Sequence, residues 1–125
     1  MAKQRKLAWV VVAVGAAAFL AACSAGNFGE PISAAKETPI DNLLNDPAAF
    51  QGKDVVVSGQ IATVDGDGKG FNLDTGRSRL LYVKAAGDFK IPAMSKYHLA
   101  TVEGTVDFDA KAGTATILAK GVRIK

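Results

Sequence analysis

Few side chains in this chain of 125 residues could do chemistry, and their spacing limits what that chemistry is. Asp65 and Asp67 stand two residues apart in the run Asp65-Gly66-Asp67-Gly68-Lys69-Gly70, which is how a helix-loop-helix calcium site begins. Counted from Asp65, however, Lys69 falls where a third oxygen ligand belongs and Gly76 where a bidentate glutamate belongs. Adding Asp74 makes at best a weak site, so the segment reads as a connection whose glycines supply positive φ angles. His98 is the single imidazole and Cys23 the single thiol. A histidine with no nucleophile in a readable motif is better placed at the rim of a core than as a general base. One cysteine makes no intrachain disulfide, so stability rests on packing. The expectation is a chain that is not an enzyme and holds no metal and no cofactor.

A second set of residues suits binding. If Leu81 and Val83 point into a core, strand alternation turns Tyr82 and Lys84 outward, with Asn72 beside them. Arg77 and Arg79 lie just upstream, and Lys90 and Lys96 continue the basic series. Tyr82, Arg79, Lys84, Asn72 and Arg77 are therefore the candidate ligand-binding residues. Such a patch could meet a polyanion, anionic lipid headgroups or an acidic protein. The alternative is a wall tyrosine among ordinary solvated charges.

These residues need strands to hold them. Asp54 to Val64, Gly70 to Thr75, Arg79 to Ala85, His98 to Phe108 and Thr114 to Ile124 are rich in Val, Ile, Thr, Phe or Tyr and are separated by turn residues, which predicts five strands. In the first, Val55, Val57, Gly59, Ile61 and Thr63 share one face, and Ser58, Gln60 and Ala62 the other. In Val57-Ser58-Gly59-Gln60-Ile61 and Val102-Glu103-Gly104-Thr105-Val106 a glycine lies between inward-facing aliphatic residues, where a missing side chain permits strong coiling or a bulge. Ahead of the strands, Asp41 is placed to cap a short helix with Leu43 and Leu44 inward, Asp46-Pro47 breaks it, and Phe50 plugs the core.

From about Pro39 to Lys125 this arrangement resembles the OB-fold, a five-stranded Greek-key barrel. The matching details are the long glycine-kinked first strand, the hairpin turning at Gly76-Arg77-Ser78, the longer connection from Ala86 to Tyr97, and the final hairpin around Ala110 to Gly113. Pro92 and the short span Ile91 to Lys96 leave room for about one helical turn, so the capping helix usual in that family is reduced here. The fold class expected is mainly β, an OB-like Greek-key barrel with a short N-terminal helix; a small open sandwich is the alternative. The chain also looks like small exported bacterial OB-fold proteins. Ile117-Leu118-Ala119-Lys120 is similar to the approach to the haem-attachment segment of exported OB-fold haem chaperones, but the histidine and tyrosine that follow in that family are absent from Gly121 to Lys125.

The chain opens with Lys3, Arg5 and Lys6, then an apolar run from Leu7 to Leu20 and small residues before Cys23, the layout of a secretory signal peptide. Leu20-Ala21-Ala22-Cys23 resembles the lipobox of bacterial lipoproteins, which implies cleavage before Cys23 and acylation of its sulfur and new amino terminus. Several acyl chains, at about 0.8 kcal/mol per buried methylene, make attachment effectively permanent. An uncleaved membrane span is the alternative, although Leu7 to Ala22 is shorter than the ~20 residues a span needs. By the lipoprotein sorting pattern, Ser24 points to the outer membrane of a Gram-negative cell, with the domain facing the periplasm. The three leader cations account for the whole formal charge of +3, so the remainder is neutral and its composition does not advertise nucleic-acid binding.

The organisation expected is a leader over 1–22, lipidated Cys23 and a flexible Gly-, Ala- and Ser-rich tether over 23–38, and the barrel over 39–125. The function expected is that of a lipid-anchored, extracytoplasmic binding module for an envelope protein or surface ligand. Oligonucleotide or polyanion binding is the runner-up. The membrane is met through the anchor, and nucleic acid is not the expected partner.

Overall fold

The computed structural model describes residues 26–33, 36–77 and 79–125. The leader, Cys23, Ser24 and Ser78 of the predicted turn lie outside the described residues. Six strands follow in order: β1 (Gly26–Gly29), β2 (Asp54–Val64), β3 (Gly70–Asp74), β4 (Leu80–Ala85), β5 (Leu99–Asp109) and β6 (Thr114–Ile124). One short helix, α1 (Ile40–Asn45), precedes β2, and 3₁₀ turns occupy Pro47–Phe50 and Ala93–Ser95. The five predicted strands are present, with ends that differ by one residue at most.

Strand pairing runs β2-β3-β4-β6-β5 and closes where β5 returns to β2. All pairs in the ring are antiparallel except β4 with β6, which run parallel. A closed ring of five strands with one parallel pair is the OB-like Greek-key barrel. The interior is filled by alternate strand residues, among them Val57, Ile61, Phe71, Leu73, Leu81, Val83, Val102, Val106 and Ile117, all buried. Leu43 of α1 packs into this core from the end where β3 turns into β4. Ile91 does so near the β2–β3 loop, where its amide bonds to Gly68 O at 2.7 Å.

Four local expectations are corrected. Alternation along β2 breaks at a bulge between Ile61 and Thr63, three residues past Gly59. The extra residue reverses the faces, so Thr63 is exposed and Val64 packs on the core. Gly59 is not a bulge but a close approach, since a β-carbon there would lie 3.1 Å from Asp74 O. The helix begins one residue before Asp41: Pro39 holds the cap position, and Asp41 lies in the first turn, where its charge suits the helix dipole.

The segment expected to be a flexible tether is, in its described part, ordered against the barrel. Gly26–Gly29 is a strand paired antiparallel with β6, Gly26 opposite Ile124 and Gly29 opposite Gly121. Glu30 N continues to Lys120 O at 2.9 Å, and Ser33 gives two hydrogen bonds to the Glu103 carboxylate, at 2.8 and 2.9 Å. Glu37 then bridges to Val56 of β2. The described part of 26–38 is thus laid along the barrel. Its composition hid this because the edge of β6 supplies the hydrogen bonds, and Phe28, between Asn27 and Gly29, supplies the apolar anchor.

Candidate functional site

The β4–β6 ladder extends only from Tyr82 opposite Thr116 to Ala85 opposite Ala119. Before it, the starts of the two strands diverge, and a groove of about 550 Å³ opens between them. Asn72, Arg79, Leu80 and Tyr82 line one wall; Thr114 and Thr116 line the other. Asn72 stands opposite Tyr82 in the β3–β4 register, so strand pairing brings these two candidates together. Leu80 shares their face because it is two residues before Tyr82, and its side chain is 53% exposed.

Tyr82 is tied down. Its phenol leans across Gly70, where a β-carbon would collide with the hydroxyl, and donates to Asp65 Oδ2 at 2.5 Å. The neighbouring carboxylate opposes a second negative charge, so the Tyr82 hydroxyl is pushed up to about 12 by that hydrogen bond, with burial next. A folded-state value above the ordinary 10 means that this stabilisation is complete below pH 10 and is lost as the pH rises from there through about 12. Alkaline absorbance titration is expected to show a phenolate transition near pH 12 that disappears in Tyr82→Phe. In Asp65→Asn the transition is expected to move toward the ordinary value.

The two arginines face the helix. Arg79 Nη1 donates to Asn45 Oδ1 at 2.9 Å and Nη2 to Leu44 O at 3.0 Å, so its guanidinium satisfies a carbonyl at the end of α1. Arg77 Nε lies 3.5 Å from Asp41 Oδ2, in a pair exposed enough to be worth little. Asn72 donates to Thr63 Oγ1 at 2.9 Å. Lys84 is exposed on β4 beyond the groove. Of the five candidates, Asn72, Arg79 and Tyr82 therefore line one groove, Lys84 sits beside it, and Arg77 is drawn away. Leu80, Thr114 and Thr116 were missed. The signal for Leu80 was legible: an apolar residue in phase with outward Tyr82 and Lys84.

The carboxylates do not converge. Asp65 serves Tyr82, Asp67 Oδ1 accepts Lys69 N at 2.9 Å, and Asp74 Oδ1 accepts Gly76 N at 2.7 Å. Asp74 is at the opposite end of β3 from the Asp65 loop, four residues or about 13 Å along the strand. Among the described residues no three His, Cys, Asp or Glu side chains gather as a metal site. His98 sits just before β5, where its Nδ1 donates to the backbone oxygen of Lys125 at 2.7 Å. That contact is structural in kind.

The chain matches no protein-family model and no curated protein. Among solved structures it is similar to one named as an aspartyl-tRNA synthetase from Leishmania major Friedlin, with a TM-score of 0.52 and 15% identity. The match covers 77% of this chain and 23% of that one. At this identity the likeness concerns the fold alone. The barrel is OB-like.

Proposed function

We propose that this chain is a lipid-anchored, extracytoplasmic binding module, not an enzyme, and that its groove takes an extended segment of an envelope protein. The leader and the Leu20-Ala21-Ala22-Cys23 motif support the anchor. The observation that carries the ligand class is the groove between the diverging starts of β4 and β6. Its wall combines exposed Leu80 and the Tyr82 ring with Asn72 and threonine hydroxyls, a mixture suited to side chains and main chain of a peptide.

Binding of a polyanion, the runner-up, is less well served. Arg79 spends its guanidinium on α1, Arg77 turns to Asp41, and Asp65 places a carboxylate against Tyr82. The aspartyl-tRNA synthetase likeness adds nothing to that reading, because an OB barrel is shared by proteins with unrelated ligands. A photoreactive amino acid at position 80, in cells, is expected to crosslink a discrete envelope protein. Leu80→Glu is expected to weaken that complex by about tenfold, the loss typical of a removed apolar anchor. Crosslinks to nucleic acid, or binding that falls steeply with salt, would overturn the peptide reading.

A further inference from the structure

We infer that the end of the barrel formed by Met94, Tyr97 and Leu99 rests on the lipid surface, an inference that depends on the membrane attachment proposed above. Met94, Tyr97 and Leu99 are 68%, 65% and 57% exposed, and with Leu80 they are the exposed large hydrophobic residues among those described. Leu80 lies in the groove; these three fall within six consecutive residues. Lys96 Nζ stands 4.9 Å from the centre of the Tyr97 ring, and Arg123 and Lys125 are exposed nearby. Aromatic and aliphatic groups fringed by cations are the side chains that settle at a headgroup boundary.

The path of the chain selects the occupant. Gly26 pairs with Ile124, Ile124 pairs with Ala100, and Lys125 N bonds to Leu99 O at 2.9 Å. The first described residue therefore lies at the same end of the barrel as Leu99 and Tyr97. Only Ser24 and Ala25 separate Gly26 from Cys23, so an acyl group on Cys23 starts within about 11 Å of this end. The apolar run ending at Ala22 would start scarcely farther away if it stayed attached. With 26–33 laid on the barrel, there is too little slack to hold this end away from the bilayer.

The fold also holds Tyr97 in place. Its φ of 73° is in the left-handed region, uncommon for a bulky side chain. Tyr97 N bonds to Ile61 O at 2.7 Å and Gln60 Nε2 donates to Tyr97 O at 3.0 Å, which fixes the backbone of an exposed residue in a costly conformation. A bilayer under this end gives that ring an apolar neighbour. The β5–β6 hairpin then points away: Ile124 and Thr114 are ten residues apart on β6, on the order of 33 Å if fully extended.

The test uses the full chain produced and processed in cells, in a Trp9→Phe background, so that an introduced tryptophan is the only one. Purified protein is placed in phosphatidylethanolamine and phosphatidylglycerol vesicles carrying brominated acyl chains. Tyr97→Trp and, as a second variant, Leu99→Trp are expected to be quenched about threefold more than Lys111→Trp at the distant hairpin tip, since interfacial side chains sit at the acyl boundary. Protein that floats with the vesicles but shows equal quenching at all three positions overturns the docking while leaving the attachment intact. Vesicles that float without the protein overturn the attachment, and the docking with it.

Discussion

Gly104→Val is expected to lower the melting temperature of the folded unit by on the order of 15 °C, corresponding to about 3 kcal/mol of overpacking in a domain of this size. Gly104 is buried between inward-facing Val102 and Val106, at the point where the β5–β6 register shifts. A β-carbon there would collide with Leu118 O and stand 2.8 Å from Ile117 Cγ2. The first of these is backbone of the paired strand, which cannot move without breaking the ladder, and β6 also carries β1, β4 and β5. A branched side chain would thus strain the strand that three others depend on. Gly66→Ala is the matched control, because nothing lies within 4 Å of its added carbon. Thermal unfolding followed by circular dichroism checks both, and an unchanged melting temperature for Gly104→Val would contradict the close packing at the barrel seam.

The second large effect concerns residence. Cys23→Ser is expected to abolish acylation and leave the leader of 22 residues uncleaved, so that the protein runs as a larger precursor and no longer carries fatty chains. The fold is expected to be unchanged, since the core is built from strand residues between Val55 and Ile124 together with Ile40, Leu43 and Ile91. Metabolic labelling with a fatty-acid analogue, together with migration on a gel, reads the two consequences at once. The combination separates the lipoprotein reading from an uncleaved span, in which Cys23→Ser would change neither mobility nor labelling.

Much of the barrel was legible because its signal is local. Val57 and Ile61 alternate with Ser58 and Gln60 in β2, and Leu81 and Val83 with Tyr82 and Lys84 in β4, so the inward face follows from the period of two. The reduced connection was legible too: Pro92 leaves space for the single 3₁₀ turn Ala93–Ser95. What escaped depended on distant partners. Thr63 looks inward until the bulge before it shifts the pairing with β3, an event set by the opposing strand. Gly26–Gly29 carries no periodicity, and it becomes a strand only because β6 offers a free edge.

The site was half legible for the same reason. Alternation placed Tyr82 and Lys84 on one face, and pairing with β3 added Asn72. It could not tell that Arg79 would reach back to α1, from which 34 residues of sequence separate it at Asn45. Nor could it place Thr114 and Thr116 across a groove, because that depends on where the parallel β4–β6 ladder stops. Two members of the basic series, Arg77 and Arg79, are thereby turned toward α1, and Arg79 keeps its charge at the groove with its donors spent on Asn45 and Leu44.

The most direct measurement is the intact mass of the protein extracted from the membranes of its native cells, with the amino-terminal peptide sequenced by fragmentation. The expected product is a chain of 103 residues beginning at Cys23, heavier than its amino acids by the mass of several acyl chains. A chain that still begins at Met1, or a Cys23 whose sulfur is unmodified, would contradict it.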